Sequence, residues 1–494
     1  MGSFNYFDLA LVVLYIVGVT AMGSILGRKQ KDARDYFLAD RNVPWWVVTF
    51  ALVATETSVL TFISVPATAY TSDLWMVQLT FGYLIGRIAI AVFLLPAYFR
   101  GEISTAYELL QTRFGLGARR FTSLTFLVTR YLGASVRMFA AAIPIKIITG
   151  LPYFWAIVIT GGVTLIYTYF GGLRAVVWVD VLQMAVFLFG SLACLLLLLN
   201  LVPGGWGGIV AAAQPAHKLQ IVHWTGGFGS TKWLFTGLIG GAFLSMASQG
   251  TEQLFVQLQL SAPSLRAAQK AIIASGVWII IQFGLFLLVG LALFAYNHGA
   301  AFNFPDEVLP TFLRSGDLPP IVGGIIIAGI FSVAMSSEAS AINSLASSAT
   351  HDIYAPLKHD TDPGHLMKVG RRFSLVAGIG LILGGLGFVL VGQGTPIVVI
   401  ALQIASFTYG GLLGGFLLAI ISKRAQQFDA ILGMSLAMGA MTLWWLLGRF
   451  WSGFPGFLKV DPLWFTMIGS IITVGVGTLS SRLRGVPAPA PGRD

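Results

Sequence analysis

Ionisable side chains stand inside segments of this chain that are otherwise strongly apolar. Seven of them lie within or at the edge of such runs: Glu56, Arg87, Arg130, Arg137, Asp180, Glu252 and Glu338. A charge at the centre of a bilayer costs about 2.5–3.5 kcal/mol on insertion scales, so such groups either pair with one another or form a functional site. Both interpretations are open for any one residue, but seven together indicate a polar cavity.

The stretch "MSSEASAINS" (335–344) places four serines in one apolar run. Ser336, Ser340 and Ser344 recur at helical spacing, with Ser337 beside them, so their hydroxyls share one side of a helix. Such a stripe can offer lone pairs to a hard cation or allow two helices to pack closely, and spacing alone favours packing. Glu338 lies about 200° round the helix from Ser336 and is expected to face elsewhere.

Polar clusters interrupt two other apolar segments. The first is "ATETS" within 51–70, with Pro66 beyond it, and the second is "SQGTEQ" within 240–257. A helix that breaks at membrane depth frees backbone carbonyls for a cation and N–H groups for an anion. The sequence therefore predicts two discontinuous helices, the kind of element that binds substrate and coupling ion at the membrane midplane.

The composition indicates the elements that position these groups. The chain has 494 residues, of which 56% are hydrophobic and 10% charged, with a mean hydropathy of +0.81. A soluble core cannot hide so many apolar residues, and the fold class predicted is an all-α polytopic membrane protein. Thirteen segments are long enough to span about 30 Å of hydrocarbon. They are 7–26, 46–70, 77–98, 120–146, 152–171, 176–201, 233–256, 271–295, 319–345, 373–392, 395–421, 429–448 and 462–481.

The net charge of +10 follows from topology and gives no indication of nucleic-acid binding. When successive loops are assigned alternately to the two sides of the membrane, most of the 30 Lys and Arg residues fall on one side. They include those of the predicted 353–372 loop. The positive-inside rule then places the N-terminus outside and the C-terminus in the cytoplasm of a multi-pass protein of the cell membrane.

Several function classes are disfavoured. There is one cysteine, and the six histidines fall in loops or near helix ends, so a buried metal cluster is not expected. No nucleotide-binding loop or hydrolase motif occurs, and the longest segments outside the membrane have about 30 residues, too few for an ATPase domain. A gradient-driven transporter, a channel and an intramembrane enzyme remain, and no nucleophile–base pair supports the enzyme.

The two interrupted segments occupy corresponding positions in two blocks of five helices. An odd number of segments per block makes the two repeats inverted relative to each other. The predicted division is a first helix with a cytoplasmic loop (1–43), a first repeat (44–201), an extracellular loop (202–232), a second repeat (233–421), two further helices (422–482) and a disordered tail (483–494).

Four further motifs, in this order and placement, resemble the solute:sodium symporter family, which includes proline, sialic acid and sodium–glucose carriers. They are "ISTAYELLQTRFG" (103–115), "IYTYFGGLRAVVWVDVLQ" (166–183), "QGTEQLFVQ" (249–257) and "SSEASAINSLASSATHDIY" (336–354). The resemblance runs from "DYFLADRNVPWW" to about Ser422. It implies a leucine-transporter-like fold of inverted five-helix repeats with flanking helices, and sodium coupling by alternating access.

The resemblance also implies a sodium site made of three backbone carbonyls and two hydroxyls. The matching positions are Ala54, Thr57, Val333, Ser336 and Ser337. An acidic residue between that site and the cytoplasm, the sodium exit, matches Asp180. A second sodium site would need hydroxyls at positions 339 and 340, and only Ser340 is present beside Ala339, so that site is left open.

The substrate site is expected between the two broken helices and segments 77–98 and 120–146. Its candidate residues are Glu56, Thr61, Arg137, Glu252 and Gln253. The Arg137 guanidinium would bind a carboxylate bidentately, or else pair with a glutamate inside the protein. Glu338 has no assigned family counterpart, and a structural ion pair with Arg87, Arg130 or Arg137 is its expected role.

The predicted function is a sodium-driven importer of a small polar solute, with a monocarboxylate or an amino acid favoured over a sugar. Its partners would be that solute, Na⁺ as the coupling ion and the lipid bilayer, with no organic cofactor, no nucleic acid and no enzymatic activity. It would work as a monomer. A sodium-coupled sugar carrier, an ion channel and a transporter-like sensor stay as alternatives, although a sensor needs a long cytoplasmic extension.

Overall fold

A computed structural model describes residues 6–26, 33–100, 103, 105–302, 305–314, 322–391, 397–451, 455 and 459–485. All of the regular secondary structure in these ranges is helical. The all-α class is therefore confirmed for the described part of the chain. The predicted disordered tail lies outside the described residues from position 486 onward.

Seven principal helices form the N-terminal part of the chain. They are α1 (Tyr6–Leu26), α2 (Trp45–Glu56), α3 (Val59–Thr71), α4 (Met76–Ala89), α5 (Glu108–Phe114), α6 (Leu116–Thr149) and α7 (Tyr153–Leu201). Helix α4 continues through a π-helical turn at Ile90–Leu94 into the short helix Leu95–Phe99.

Eight principal helices form the C-terminal part. They are α8 (Gly241–Thr251), α9 (Gln253–Leu260), α10 (Leu265–Tyr296), α11 (Val322–Ser348), α12 (Pro363–Val391), α13 (Ile397–Ile421), α14 (Gln427–Phe450) and α15 (Phe465–Leu483). A π-helical turn at Ala349–Tyr354 extends α11 into the short helix Ala355–Lys358.

Eight helical stretches among the described residues are long and apolar enough to cross a membrane, or nine when α2 and α3 are counted as one bent span. The count of thirteen stays a prediction. Helix α7 joins two predicted segments, 152–171 and 176–201, and bends between them at Gly172 (φ 54°, ψ −159°). Only glycine adopts that backbone conformation readily, which explains a sharp bend inside a continuous apolar run.

The predicted loop at 353–372 is wrong. The helix that follows α11 runs to Lys358 and α12 begins at Pro363, so only four residues separate the two helices. Hydropathy detects only the apolar part of a helix. The polar ends of both helices are hydrogen-bonded to themselves and therefore extend beyond the apolar window.

Both predicted helix breaks are confirmed. Between α2 and α3 the backbone is extended at Thr57 (ψ 124°) and Ser58 (ψ 164°), and the two helices meet at 66°. Between α8 and α9 it is extended at Glu252 (φ −75°, ψ 130°). Ser58 and Thr61 cap the start of α3 reciprocally, so the second half of this broken span begins as an independent helix.

Helix α11 lies in the interior of the bundle. In Gly323–Lys358, which contains most of α11, 94% of the most apolar window is buried inside the protein. The corresponding share is 22% in Pro363–Leu390, which contains most of α12. Helix α11 packs against α1, α6, α7 and α12. Its serines, asparagine and glutamate are therefore buried among other helices and do not face lipid tails.

Candidate functional site

The break between α2 and α3 lies against the serine-rich turn of α11. The Ser337 hydroxyl donates a hydrogen bond to the Thr57 carbonyl oxygen over 3.0 Å. The Thr57 side chain donates to the Val53 carbonyl (2.7 Å) and accepts from Gln282 of α10 (2.8 Å). The Thr57 side chain is thus held by its own helix and by α10, while its freed carbonyl points to α11.

Asp180 of α7 lies directly behind this contact. Its Oδ1 accepts a hydrogen bond from the Ser336 hydroxyl (2.6 Å), and its Oδ2 accepts one from Thr55 (3.4 Å). The Ser340 hydroxyl lies 2.9 Å from that of Thr55. Asp180 is fully buried. The residue expected on a sodium exit path therefore also orients Ser336, one of the expected ligands.

A tight cavity at this point is lined by residues of α2, α7, α11 and the helix break. Its lining is Ala54, Thr57, Gln183, Met184, Phe187, Ser332, Val333 and Ser336. Four of the five positions expected to bind sodium are among them, and the fifth, Ser337, contacts Thr57. Carbonyl and hydroxyl oxygens are hard ligands, and this donor set fits a small hard cation.

Two of the seven membrane-embedded charges form an ion pair between α2 and α4. Arg87 pairs with Glu56 and also donates to the Ser275 hydroxyl over 2.7 Å. The Arg87 side chain is fully buried, and 20% of the Glu56 side chain is exposed. Glu56, expected in the substrate site, is thus neutralised by a neighbouring helix.

A second ion pair joins α6 to the break between α8 and α9. Arg130 Nη1 lies 3.6 Å from Glu252 Oε2, and both side chains are at least 95% buried. The distance is longer than a hydrogen bond, and the Arg130 Nε and Nη2 atoms also have no hydrogen-bond partner in the described part of the chain. Arg130 therefore keeps N–H groups that donate to no described residue.

Arg137 and Glu338 differ from these pairs. Neither side chain makes a hydrogen bond or salt bridge to any residue in the described ranges. Glu338 is only 2% exposed, and Arg130 and Arg137 are the cations within electrostatic range of it. Glu338 therefore lies within electrostatic range of the two arginines of α6, but the structural ion pair expected for it does not form among the described residues.

Two other residues expected to bind substrate are occupied by protein groups. The Thr61 hydroxyl belongs to the cap of α3. The Gln253 Oε1 atom accepts from the Ala106 backbone N–H (2.8 Å), and its amide nitrogen lies 3.4 Å from the Ser347 hydroxyl. Gln253 thereby joins α9, whose eight residues are all buried, to α11 and to the segment before α5.

Sequence reasoning missed two groups at this site. Ser332 hydrogen-bonds to Tyr15 of α1 over 2.6 Å and lines the cavity. It stands one turn before Ser336, so extending the serine stripe backward would have found it. Gln282 is the polar residue of "WIIIQFGLFL", and its isolation in an apolar helix was a usable signal.

Comparison with known proteins supports a transporter. The sodium:solute symporter family model matches residues 36–437. The sodium/sialic acid symporter SiaT of Proteus mirabilis is 28% identical, over 98% of this chain and 96% of its own length. The human sodium-coupled monocarboxylate transporter 1 is 26% identical, over 90% of this chain and 74% of its own length.

A solved structure shows the same architecture. A sodium-coupled sialic acid symporter, in a substrate-bound outward-open state, superposes with a TM-score of 0.86 and 27% sequence identity, covering 97% of this chain and 98% of that one. The chain belongs to the sodium:solute symporter family and is a sodium-coupled symporter of a small solute, not an enzyme.

Proposed function

We propose that this symporter binds Na⁺ between the α2–α3 break and α11 and imports a small solute that carries a carboxylate. The ligands would be the carbonyls of Ala54, Thr57 and Val333 and the hydroxyls of Ser336 and Ser337. The observation that carries the proposal is the hydrogen bond from Ser337 to the freed Thr57 carbonyl. This contact already holds together two ligands from elements that are far apart in sequence.

The same contact explains how sodium can be coupled to transport. A cation that replaces the Ser337–Thr57 hydrogen bond attracts both oxygens and so stabilises the state in which α11 and the broken span are close. Binding energy shifts a conformational equilibrium only through such a difference between states. Asp180 balances the charge of the ion through Ser336 and provides the first acceptor on an exit path. A second sodium at Ser340 stays open, since that hydroxyl is engaged with Thr55.

Arg137 supports the choice of a carboxylate. Its guanidinium lies on α6, inside the bundle, with no hydrogen bond or salt bridge to another described residue. Such a group binds a carboxylate with two parallel hydrogen bonds. Two reported relatives are named for carboxylic acids, sialic acid and monocarboxylates. An amino acid or monocarboxylate is therefore favoured over a sugar. The inverted five-helix repeats would expose the binding site alternately to the two sides of the membrane.

Sodium itself is the probe for the proposed site. Replacing Ser336 and Ser337 together with alanine removes two of five oxygens. We expect the Na⁺ concentration for half-maximal thermal stabilisation to rise by about tenfold or more, since each ligand to a charged group contributes on the order of 1.5–3 kcal/mol. The measurement is a thermal-shift titration of the purified protein with NaCl, with choline chloride holding ionic strength constant.

Ser344→Ala is the matched control, because Ser344 lies on the same helix and its hydroxyl donates to the Ala341 carbonyl. The control should keep the wild-type sodium dependence. A double variant that folds and keeps the wild-type sodium dependence would show that the ion binds elsewhere.

A further inference from the structure

We infer that the solute is a zwitterion, whose carboxylate binds Arg137 and whose ammonium group binds Glu338. The inference rests on the proposed function, because it takes carboxylate binding by Arg137 as given and adds the group that Glu338 would recognise. It assigns a role to the one membrane-embedded carboxylate that neither the sodium site nor the ion pairs involve.

The first support is the unused bonding capacity of these two side chains. Glu338 is 98% buried and its Oε2 atom has no hydrogen-bond donor among the described residues. A buried carboxyl oxygen without a hydrogen-bond partner is destabilising, and a ligand that supplies the missing donor removes that cost. An ammonium group offers three N–H donors and a positive charge, which match a carboxylate in a low dielectric.

The second support is the charge balance of the cluster. Arg137 lies within electrostatic range of Arg130, Glu252 and Glu338, and Glu338 within range of both arginines, so the formal charges of the four groups sum to zero. Arg130 pairs with Glu252, which leaves one cation and one anion without direct partners. A simple carboxylate would satisfy Arg137 and leave Glu338 facing a second negative charge. A zwitterion satisfies both groups and keeps the site neutral.

The third support is position. Arg137 lies on α6 and Glu338 on α11, and these two helices pack directly against each other. Glu338 is also rotated away from Ser336 and Ser340, whose hydroxyls meet Asp180 and Thr55 on the sodium side. The ammonium group would therefore meet Glu338 without competing for the sodium ligands. The sodium site and the zwitterion site would use different faces of the same helix.

Pairs of compounds that differ only at the ammonium group test this inference on the wild-type protein. The probes are L-alanine with L-lactate and propionate, L-proline with cyclopentanecarboxylate, and 4-aminobutyrate with 4-hydroxybutyrate. Each is titrated in NaCl and in choline chloride by thermal shift. For the pair that fits the site, we expect the amine-bearing member to bind about tenfold or more tightly in NaCl.

The outcomes separate this inference from the proposed function. If carboxylates without an amine bind as tightly as their partners, the ammonium site is refuted and carboxylate recognition stands. If no carboxylate of either kind binds and a neutral sugar does, both are refuted.

Glu338→Gln tests the role of the carboxylate itself. We expect this variant to lose most of the preference for the amine-bearing member while keeping the wild-type sodium titration. Asp429→Asn is the matched control, since Asp429 is a buried carboxylate too. It lies near the start of α14 and pairs with Arg484, just after the end of α15. A folded Glu338→Gln protein with undiminished preference refutes the assignment. Should the variant not fold, the compound pairs on the wild-type protein still decide.

Discussion

The membrane-embedded arginines have different roles because they have different partners. Arg87 is held by Glu56 and Ser275, so its guanidinium is bound within the protein. Arg137 has no such partner among the described residues. A guanidinium that no protein group engages can bind a ligand carboxylate with two parallel hydrogen bonds. The residue type is the same in both places, and the surroundings decide whether it serves structure or binding.

Replacing Arg137 tests its role. Arg137→Gln should weaken binding of the carboxylate that stabilises the wild-type protein by about 10- to 100-fold, because it removes a charged bidentate donor. Arg137→Lys should recover part of the affinity, since lysine supplies charge without the planar fork. The measurement is a thermal-shift titration with that carboxylate in NaCl.

Sodium binding without solute serves as the internal control and should be unchanged in both Arg137 variants. Wild-type carboxylate affinity in a folded Arg137→Gln protein would assign the arginine a purely structural role.

At the scale of the element, glycine allows α4 to approach α8. A Cβ atom built on Gly86 would lie 2.4 Å from the Ala242 carbonyl oxygen, and one built on Gly82 would lie 2.2 Å from that of Gly237. The two glycines are four residues apart and so share one face of α4. Small residues at this spacing allow helix backbones to approach closely in membranes, which places α8 correctly for the Glu252 break.

Gly86→Ala should therefore separate these helices. We expect a loss of about 1–3 kcal/mol, which is typical of overpacking, because the Cβ meets backbone and not a flexible side chain. Gly162→Ala is the matched control, since nothing lies within 4 Å of a Cβ there and alanine favours the helix. The thermal midpoint should fall for the first variant and stay or rise for the second. Equal midpoints would contradict the close-contact argument.

At the scale of the whole molecule, a segment between α7 and α8 connects helices at one end of the bundle. The backbone of Leu74 donates to Gln220 (3.0 Å), and the Gln78 side chain accepts from the backbone of His223 (3.0 Å) and donates to the carbonyl of Lys232 (2.8 Å). The predicted topology places this segment outside. It holds the end of the first broken span against the start of α4.

Asp73 is the ionisable centre of this connection. Its carboxylate accepts hydrogen bonds from Lys232 Nζ (3.0 Å) and the Trp75 N–H (3.0 Å), and His223 lies 3.3 Å away. Burial alone would raise the pKa of Asp73, but these hydrogen bonds outweigh it and hold the pKa below its ordinary value. The folded state therefore binds the proton less well than the unfolded state, whose pKa is about 3.9.

The sign of the pH dependence follows from this shift. Asp73 stabilises the fold at pH values above about 4 and loses that contribution as the pH falls through its lowered folded pKa. Asp73→Asn should lower the thermal midpoint at pH 5–8, and the difference should shrink below pH 4. Thermal unfolding of both proteins over pH 3–8 measures this. A difference that persists unchanged at pH 3 would mean that the carboxylate charge contributes nothing.

Much of this architecture follows from the sequence alone. Long apolar segments can satisfy their backbone only as helices in lipid, so helix positions were predictable. Polar clusters beside glycine or proline marked both helix breaks. The i, i+4 serine stripe and the off-stripe position of Glu338 were also visible, since both depend only on the geometry of a single helix.

Only the tertiary structure decided which groups face each other. Glu56 pairs with Arg87 and Gln253 bonds to Ala106, whereas Arg137 and Glu338 have no hydrogen-bond or ion-pair partner among the described residues. These pairings join residues from 31 to 147 positions apart, and they depend on the rotation and tilt of separate helices. Sequence spacing within a helix carries no information about its rotation against a neighbour. Packing supplies that information, and it distinguishes a structural ion pair from a binding site.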